Sequence, residues 1–339
     1  MHIPDGILNI PVASTGYLVA GLAGAWSSRA ARRDMDERLV PTAGVAGAFV
    51  FAAQMVQIPI PLVGATSGHL VGGALMAMLL GLPAAVLVMS AVLVVQCFLF
   101  QDGGLIALGA NITNMAVIGP FVGWSVMRLV RPQTKVTLAL AAFVGGWLSL
   151  TLAGLAAGIE VGLSTSIPTA KAAWGMGIVH AAIGLLEGGV TAAVVLSLAA
   201  RKDVHIAALP AAEQKADNGQ EDLRNGKRAK PAGPWPRWVL IALGGVSILC
   251  GLVLAQFSSS LPDGLESFLE HFGISGGDHL VPSFMPDYQV TWLMGWPGRV
   301  LAAMLGLVGT AVLAAAFFRS LRIGGKDKDT ARHGTDTNQ

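Results

Sequence analysis

Nine apolar runs dominate the chain, at roughly 11–28, 40–58, 69–82, 84–100, 105–127, 136–158, 172–200, 238–257 and 299–318. Most approach the ~20 residues that a helix rising 1.5 Å per residue needs to cross the hydrocarbon core of a bilayer. Helices fit that length and strands do not. The pattern therefore predicts an all-α, polytopic transmembrane helix bundle of about seven spans followed by a two-span C-terminal module. The third run is short and meets the fourth at Gly81-Leu82-Pro83, so this pair reads either as two crossings or as a broken, re-entrant element. Glycines recur at small-xxx-small spacing, as in Gly68/Gly72, Gly119/Gly123, Gly154/Gly158 and Gly184/Gly188, which predicts close helix packing.

Composition agrees with the pattern: 53% of the 339 residues are hydrophobic and 12% charged, with a mean hydropathy of +0.63. The net charge of +2 gains meaning only when it is placed along the chain. Of 22 Lys and Arg residues, 20 follow the first, fifth, seventh and ninth runs, leaving Lys171 and Arg299 for the other side. By the positive-inside rule the basic side is cytoplasmic, so the amino terminus is expected outside and the carboxyl terminus inside. The start, MHIPDGILNI, has neither a basic n-region nor a small-residue cleavage site, so Met1 is expected on the mature protein. Cys97 and Cys250 lie in apolar runs and suggest neither a disulfide framework nor a thiolate metal site. Residues 201–236 are polar, charge-mixed and aperiodic and read as a cytoplasmic linker. They divide a membrane domain at 1–200 from a two-span module at 237–321, which a cytoplasmic tail at 322–339 follows. Trp235, Trp238, Trp292 and Trp296 suit interfacial anchoring.

Enzyme signatures are missing: there is no HExxH, no Walker A sequence and no G-x-S-x-G, since Thr66 occupies the nucleophile position of Gly64–Gly68. The amino terminus carries more chemistry. Met1-His2 offers the α-amine, the His2 amide nitrogen and the His2 Nδ1, which close a five- and a six-membered chelate ring around a metal. Such a nitrogen set favours the square-planar ions Cu2+ and Ni2+, and one position in the plane stays open. His69 lies in the loop after the second run, which the charge pattern places on the same face as Met1. A lone loop histidine is also an ordinary solvated or capping residue, so this convergence is an expectation. His180 and Glu187, seven residues apart on the seventh run, share a helix face and read as pathway residues or a mutual hydrogen-bond network. Asn111 and Asn114 read as helix-packing hydrogen bonders, and His271 and His279 as solvated loop residues.

Four segments carry a family resemblance: MHIPDG (Met1–Gly6), GATSGHL (Gly64–Leu70), DGG with GAN (Asp102–Gly104, Gly109–Asn111) and HAAIGLLEG (His180–Gly188). They resemble the CbiM/NikM family, the substrate-specific component of cobalt and nickel energy-coupling-factor (ECF) transporters. The likeness covers residues 1 to about 200. It implies that Met1, His2 and His69 bind the metal, with His180, Glu187, Asn111 and Asp102 in supporting or pathway roles. Pro262–Glu266 (PDGLE) is similar to the accessory component that some members carry as a fusion. The resemblance further implies a multi-pass protein of the bacterial inner membrane, surrounded by lipid and without nucleic-acid partners. Ni2+ or Co2+ is then the transported substrate, no cofactor is needed, and a transmembrane coupling subunit and ATPase subunits are the partners. Asp102, where cobalt-type members often have histidine, leans the choice towards nickel. Two rival readings are an ion-coupled secondary carrier using His180 and Glu187 as a proton relay, and a membrane-embedded metalloenzyme.

Overall fold

The structure is a computed structural model that describes the chain except residues 34–38, 65, 202–205, 208–234, 278, 281, 294 and 334–339, and only the backbone at 33 and 323–333. Most of the expected linker and the last residues of the tail thus lie outside the described residues. Eleven helices are described: α1 (Ile10–Arg33), α2 (Leu39–Gln54), α3 (Gly73–Leu80), α4 (Leu82–Val95), α5 (Leu108–Asn111), α6 (Gly119–Val130), α7 (Lys135–Ser164), α8 (Thr169–Ala199), α9 (Arg237–Leu252), α10 (Gly264–His271) and α11 (Trp296–His333). Among the described residues, five stretches are long and apolar enough to cross a membrane: Leu82–Phe100, Lys135–Ser164, Thr169–Ala199, Arg237–Phe257 and Trp296–Arg322.

The run at 69–82 is where pattern and structure part. It is helical only over the eight residues of α3, about 12 Å at 1.5 Å per residue, too short to cross alone. Gly81 then turns the chain at φ +83° and Pro83 opens α4, so the broken-element reading describes this pair. Ahead of α3 runs an irregular segment pinned by a minimal hairpin, β1 (Ile58–Pro59) antiparallel to β2 (Ser67–Gly68). Wide π-type turns over Gln96–Phe100 and Ile112–Ile118 continue α4 and α5. Such turns gather at functional sites, and here they flank Gln96 and Asn111.

Small residues bring the helices together. α7 opens with a reciprocal cap between Thr134 and Thr137 and lies antiparallel along α8. A Cβ added at Gly158 would sit 2.5 Å from the Ala172 carbonyl oxygen, and one at Gly154 2.4 Å from the His180 ring. The second module packs on α2, where Gly44 and Gly47 meet Ala311, Thr310 and Ala314 of α11. At one end of the bundle gather the start of α1, the β1–β2 segment, the turn after α4 and the loop holding α10. At the other end Ala207 reaches the end of α3, its N–H directed at the Leu79 carbonyl.

The α7–α8 contact supplies a test. Gly154→Val should cost about 1–3 kcal/mol through overpacking and lower the thermal midpoint of the purified protein. Gly189→Val, with open space around it, should not. Equal midpoints for the two variants would show that α7 and α8 do not meet at Gly154.

Candidate functional site

The first eight residues do not trail into solvent. Met1, His2, Ile3 and Asp5 are buried, and each is held by a group from a different part of the chain. Ile3 is gripped by Asn111: its N–H donates to Asn111 Oδ1 at 2.8 Å, and Asn111 Nδ2 donates to the Ile3 carbonyl at 3.1 Å. The Gly104 N–H donates to the same carbonyl at 2.9 Å. The Asp5 carboxylate accepts from the N–H groups of Leu105 and Ile106 at 3.1 and 2.8 Å, and its carbonyl from Gly277 at 2.7 Å. This docking explains Asp102-Gly103-Gly104. Gly103 has φ +94°, and a Cβ at Gly104 would lie 2.2 Å from the Asp5 nitrogen. Asn111 is thus not the helix-packing residue that the pattern suggested, because its amide is spent on the main chain of Ile3. Asn114 does bond between helices, donating to Glu160 at 2.7 Å.

His69 follows β2 and is positioned from both sides. Ser67 is clamped to the second module, its N–H donating to the Pro262 carbonyl at 2.8 Å and its Oγ to that of Leu261 at 2.7 Å. Beyond His69, the N–H groups of Val71 and Gly72 donate to the two oxygens of Glu187 at 2.9 and 2.8 Å. Gln54 Nε2 donates to the Val71 carbonyl at 2.8 Å. Glu187 therefore does not pair with His180, whose Nδ1 lies 2.8 Å from the Met176 carbonyl. The His2 and His69 rings stack, their centroids 5.5 Å apart and their planes at 23°.

Two carboxylates meet the amino terminus. The Met1 ammonium donates to Asp263 Oδ2 at 2.5 Å, while Asp263 Oδ1 caps α10 by accepting from Leu265 and Glu266 at 2.8 Å each. His2 Nδ1 lies 3.0 Å from Asp102 Oδ1, and Tyr288 donates its hydroxyl to Asp102 Oδ2. His2 Nε2 faces Gln96 Oε1 at 3.2 Å, and Gln96 Nε2 donates to Gln54 Oε1 at 2.6 Å. Burial alone would raise both carboxyls. The charge and hydrogen bond of His2, with Tyr288 and His69, outweigh it at Asp102; the amine, the Glu266 N–H and His69 do so at Asp263. Both acids are held well below the usual carboxylate range, whereas burial and Asp102 push the Tyr288 phenol far above its own.

A cavity of about 430 Å³ opens outward from His2, with carboxylates of Asp102, Asp263, Glu266, Glu270 and Asp287 on its walls and His279 among its lining residues. His271 stands exposed at the end of α10, its ring edge-on to Phe272. Among the described residues no three His, Cys, Asp or Glu side chains converge tightly enough to hold an ion by themselves. The amino-terminal residue Met1 is itself buried beside these side chains. Sequence reasoning missed Asp263, Gln54, Gln96 and Tyr288 as neighbours of the amino terminus. Polar Gln54 and Gln96 inside apolar runs were the available signal.

Residues 2–204 match the family described as the cobalt uptake substrate-specific transmembrane region, CbiM, and residues 237–323 match the PDGLE domain. The chain belongs to the CbiM family. It is 37% identical to a putative fused nickel transport protein NikMN of Archaeoglobus fulgidus, over 95% of this chain and 98% of that one. The fused nickel transport protein NikMN of Rhodobacter capsulatus is 31% identical, over 91% and 94%. A crystal structure of a truncated transition metal transporter superposes with a TM-score of 0.52 at 32% identity, over 58% of this chain and 98% of that one. This CbiM-family chain is accordingly a helical, multi-pass membrane protein of metal transport and not an enzyme.

The grip on Ile3 can be tested. Asn111→Leu leaves the Ile3 N–H buried without a partner, a loss of about 1–3 kcal/mol, or roughly tenfold or more in any affinity that depends on the docked terminus. Calorimetry with Ni2+ on folded protein should show that weakening. An unchanged affinity would mean that docking of Ile3 does not matter to metal binding.

Proposed function

We propose that the protein captures Ni2+ or Co2+ at the extracytoplasmic face through its free amino terminus and delivers it inward as the substrate-specific component of an ATP-driven ECF importer. The observation that carries this reading is the burial of Met1 and His2 with the His2 ring stacked on His69. The amine, the His2 amide and Nδ1, and a fourth nitrogen from His69 form the ligand set. Four nitrogens in a plane suit Ni2+, and nickel is the substrate named for the fused relatives.

Loading is an exchange of partners. An arriving cation takes the amine and Nδ1 from Asp263 and Asp102, and the two carboxylates stay beside it as counter-charge. Because Asp263 comes from the PDGLE module, that module takes part in loading rather than acting from a distance. The acidic cavity outside His2 raises the local concentration of hydrated cations. Uphill import draws on partner subunits, a transmembrane coupling protein and ATPases, since no Walker A sequence lies in this chain.

The ligand set is tested by lengthening the chain by one residue. An added amino-terminal glycine moves the free amine away from His2 and should weaken Ni2+ binding at least as much as His2→Ala or His69→Ala. Wild-type affinity in the extended protein, folded and with its terminus verified by mass spectrometry, would refute the amine and amide ligands.

Orientation has its own test, in a background lacking Cys97 and Cys250. Leu62→Cys, in the exposed turn after β1, should react with an impermeant thiol reagent on intact cells, and Asn218→Cys in the linker should not. The reverse labelling would invert the topology.

A further inference from the structure

His180 lies outside the ligand set just described, yet its ring has the arrangement of a metal ligand. Its Nδ1 sits 2.8 Å from the Met176 carbonyl, and a carbonyl only accepts, so the ring proton is on Nδ1 and the lone pair on Nε2. His69 is set the same way, with Nδ1 3.1 Å from the Leu70 carbonyl. Donation of one ring N–H to a backbone carbonyl is how proteins orient a histidine whose other nitrogen binds a metal. Among the described residues neither Nε2 has a hydrogen-bond partner, and His180 is 1% exposed. His2 differs, since both of its ring nitrogens are engaged.

The two unpartnered imidazoles share a space. A second cavity of about 10 Å³ is lined by Met1, His69, His180 and Asp263 together with apolar and glycine positions. That volume suits a single water-sized or ion-sized occupant. The wide acidic cavity reaches His2 but not Met1, and the small one reaches Met1 but not His2. The Met1-His2 dipeptide thus stands between a wide cavity and a small one.

Resting on the amino-terminal capture proposed above, we propose that the small cavity is a second, inner metal position. Its ligands are the Met1 amine, His69 Nε2 and His180 Nε2, and its occupant is the same class of divalent transition-metal ion. An ion held at the amino-terminal chelate exchanges the His2 nitrogens for His180 Nε2 while keeping the amine and His69. Only part of the coordination shell changes, so the ion leaves the outer cavity without becoming bare. Gly154 makes the position feasible, because a side chain there would fill the space of the His180 ring.

The test removes the outer donors and counts imidazoles. In full-length protein carrying His2→Ala, Cu2+ serves as the probe, and pulsed electron paramagnetic resonance reports how many imidazoles coordinate it. Two are expected, His69 and His180. Adding His180→Gln should reduce the count to one and weaken the remaining affinity by about tenfold or more. A structural role for His180 cannot change the number of imidazoles on the ion. A single imidazole in the His2→Ala protein, or the same count in both proteins, overturns the inner position. Failure of the amino-terminal chelate itself reads out separately, as an affinity that His2→Ala leaves unaltered.

Discussion

The Met1 ammonium is buried, and a buried charge is tolerable only with a partner close by. Asp263 supplies it at 2.5 Å from a position 262 residues away in the chain, on the other module. Asp263 can do so because it is already fixed: one oxygen caps α10 through two N–H groups, which leaves the other aimed at the amine. Breaking such a pair by removing one partner costs about 3–5 kcal/mol. The amine's position, and with it the PDGLE loop's position over the β1–β2 segment, follow from this contact. Ser67 completes the clamp by bonding the carbonyls of Leu261 and Pro262.

The two histidine rings proposed to bind metal are each set by groups outside that proposed ligand set. Asp102 and Gln96 fix the His2 ring, the Leu70 carbonyl fixes the His69 ring, and Gln54 joins Gln96 to the segment just beyond His69. Tyr288 from the second module donates to Asp102 and accepts from Gln96, so both modules bear on the His2 ring. A site assembled this way is ordered before an ion arrives, and little conformational entropy is lost on binding. The arrangement also bears on metal choice, since rigid nitrogens favour an ion with a strong geometric preference.

The sequence was informative wherever the physics is local. Apolar run length gave the helices, and Met1-His2 with His69 gave the two histidines that stack. It was uninformative where the contact is distant or the backbone irregular. Nothing near Asn111 says that its amide faces Ile3, 108 residues earlier. Nothing near Asp263 says that its second oxygen meets Met1. The run at 69–82 misled for a different reason: hydropathy measures burial, and residues 66–72 are largely buried without being helical. His180 and Glu187 stood out as ionisable residues on one face of an apolar run, but their bonding partners could not be read from spacing on one helix.

That irregular backbone explains the polar residues buried around it. A helix satisfies its own N–H and C=O groups, whereas non-helical chain inside a membrane bundle must find partners on its neighbours. Two segments of this fold face the problem, the amino terminus and the stretch that carries His69. Asn111 solves it for Ile3, the Asp5 carboxylate ties the terminus to Leu105 and Ile106, Glu187 solves it for Val71 and Gly72, and Gln54 takes the Val71 carbonyl. A carboxylate suits two adjacent N–H groups because it has two acceptor oxygens, and a primary amide suits one residue's N–H and C=O because it both accepts and donates. Glu187 and Asn111 thus have a sufficient reason to be polar without touching a metal. His180 has no such reason, since the Met176 carbonyl it meets also serves the turns of its own helix. Its second nitrogen supports no backbone group among the described residues, and His180 instead lines the small cavity that Met1 and His69 also border.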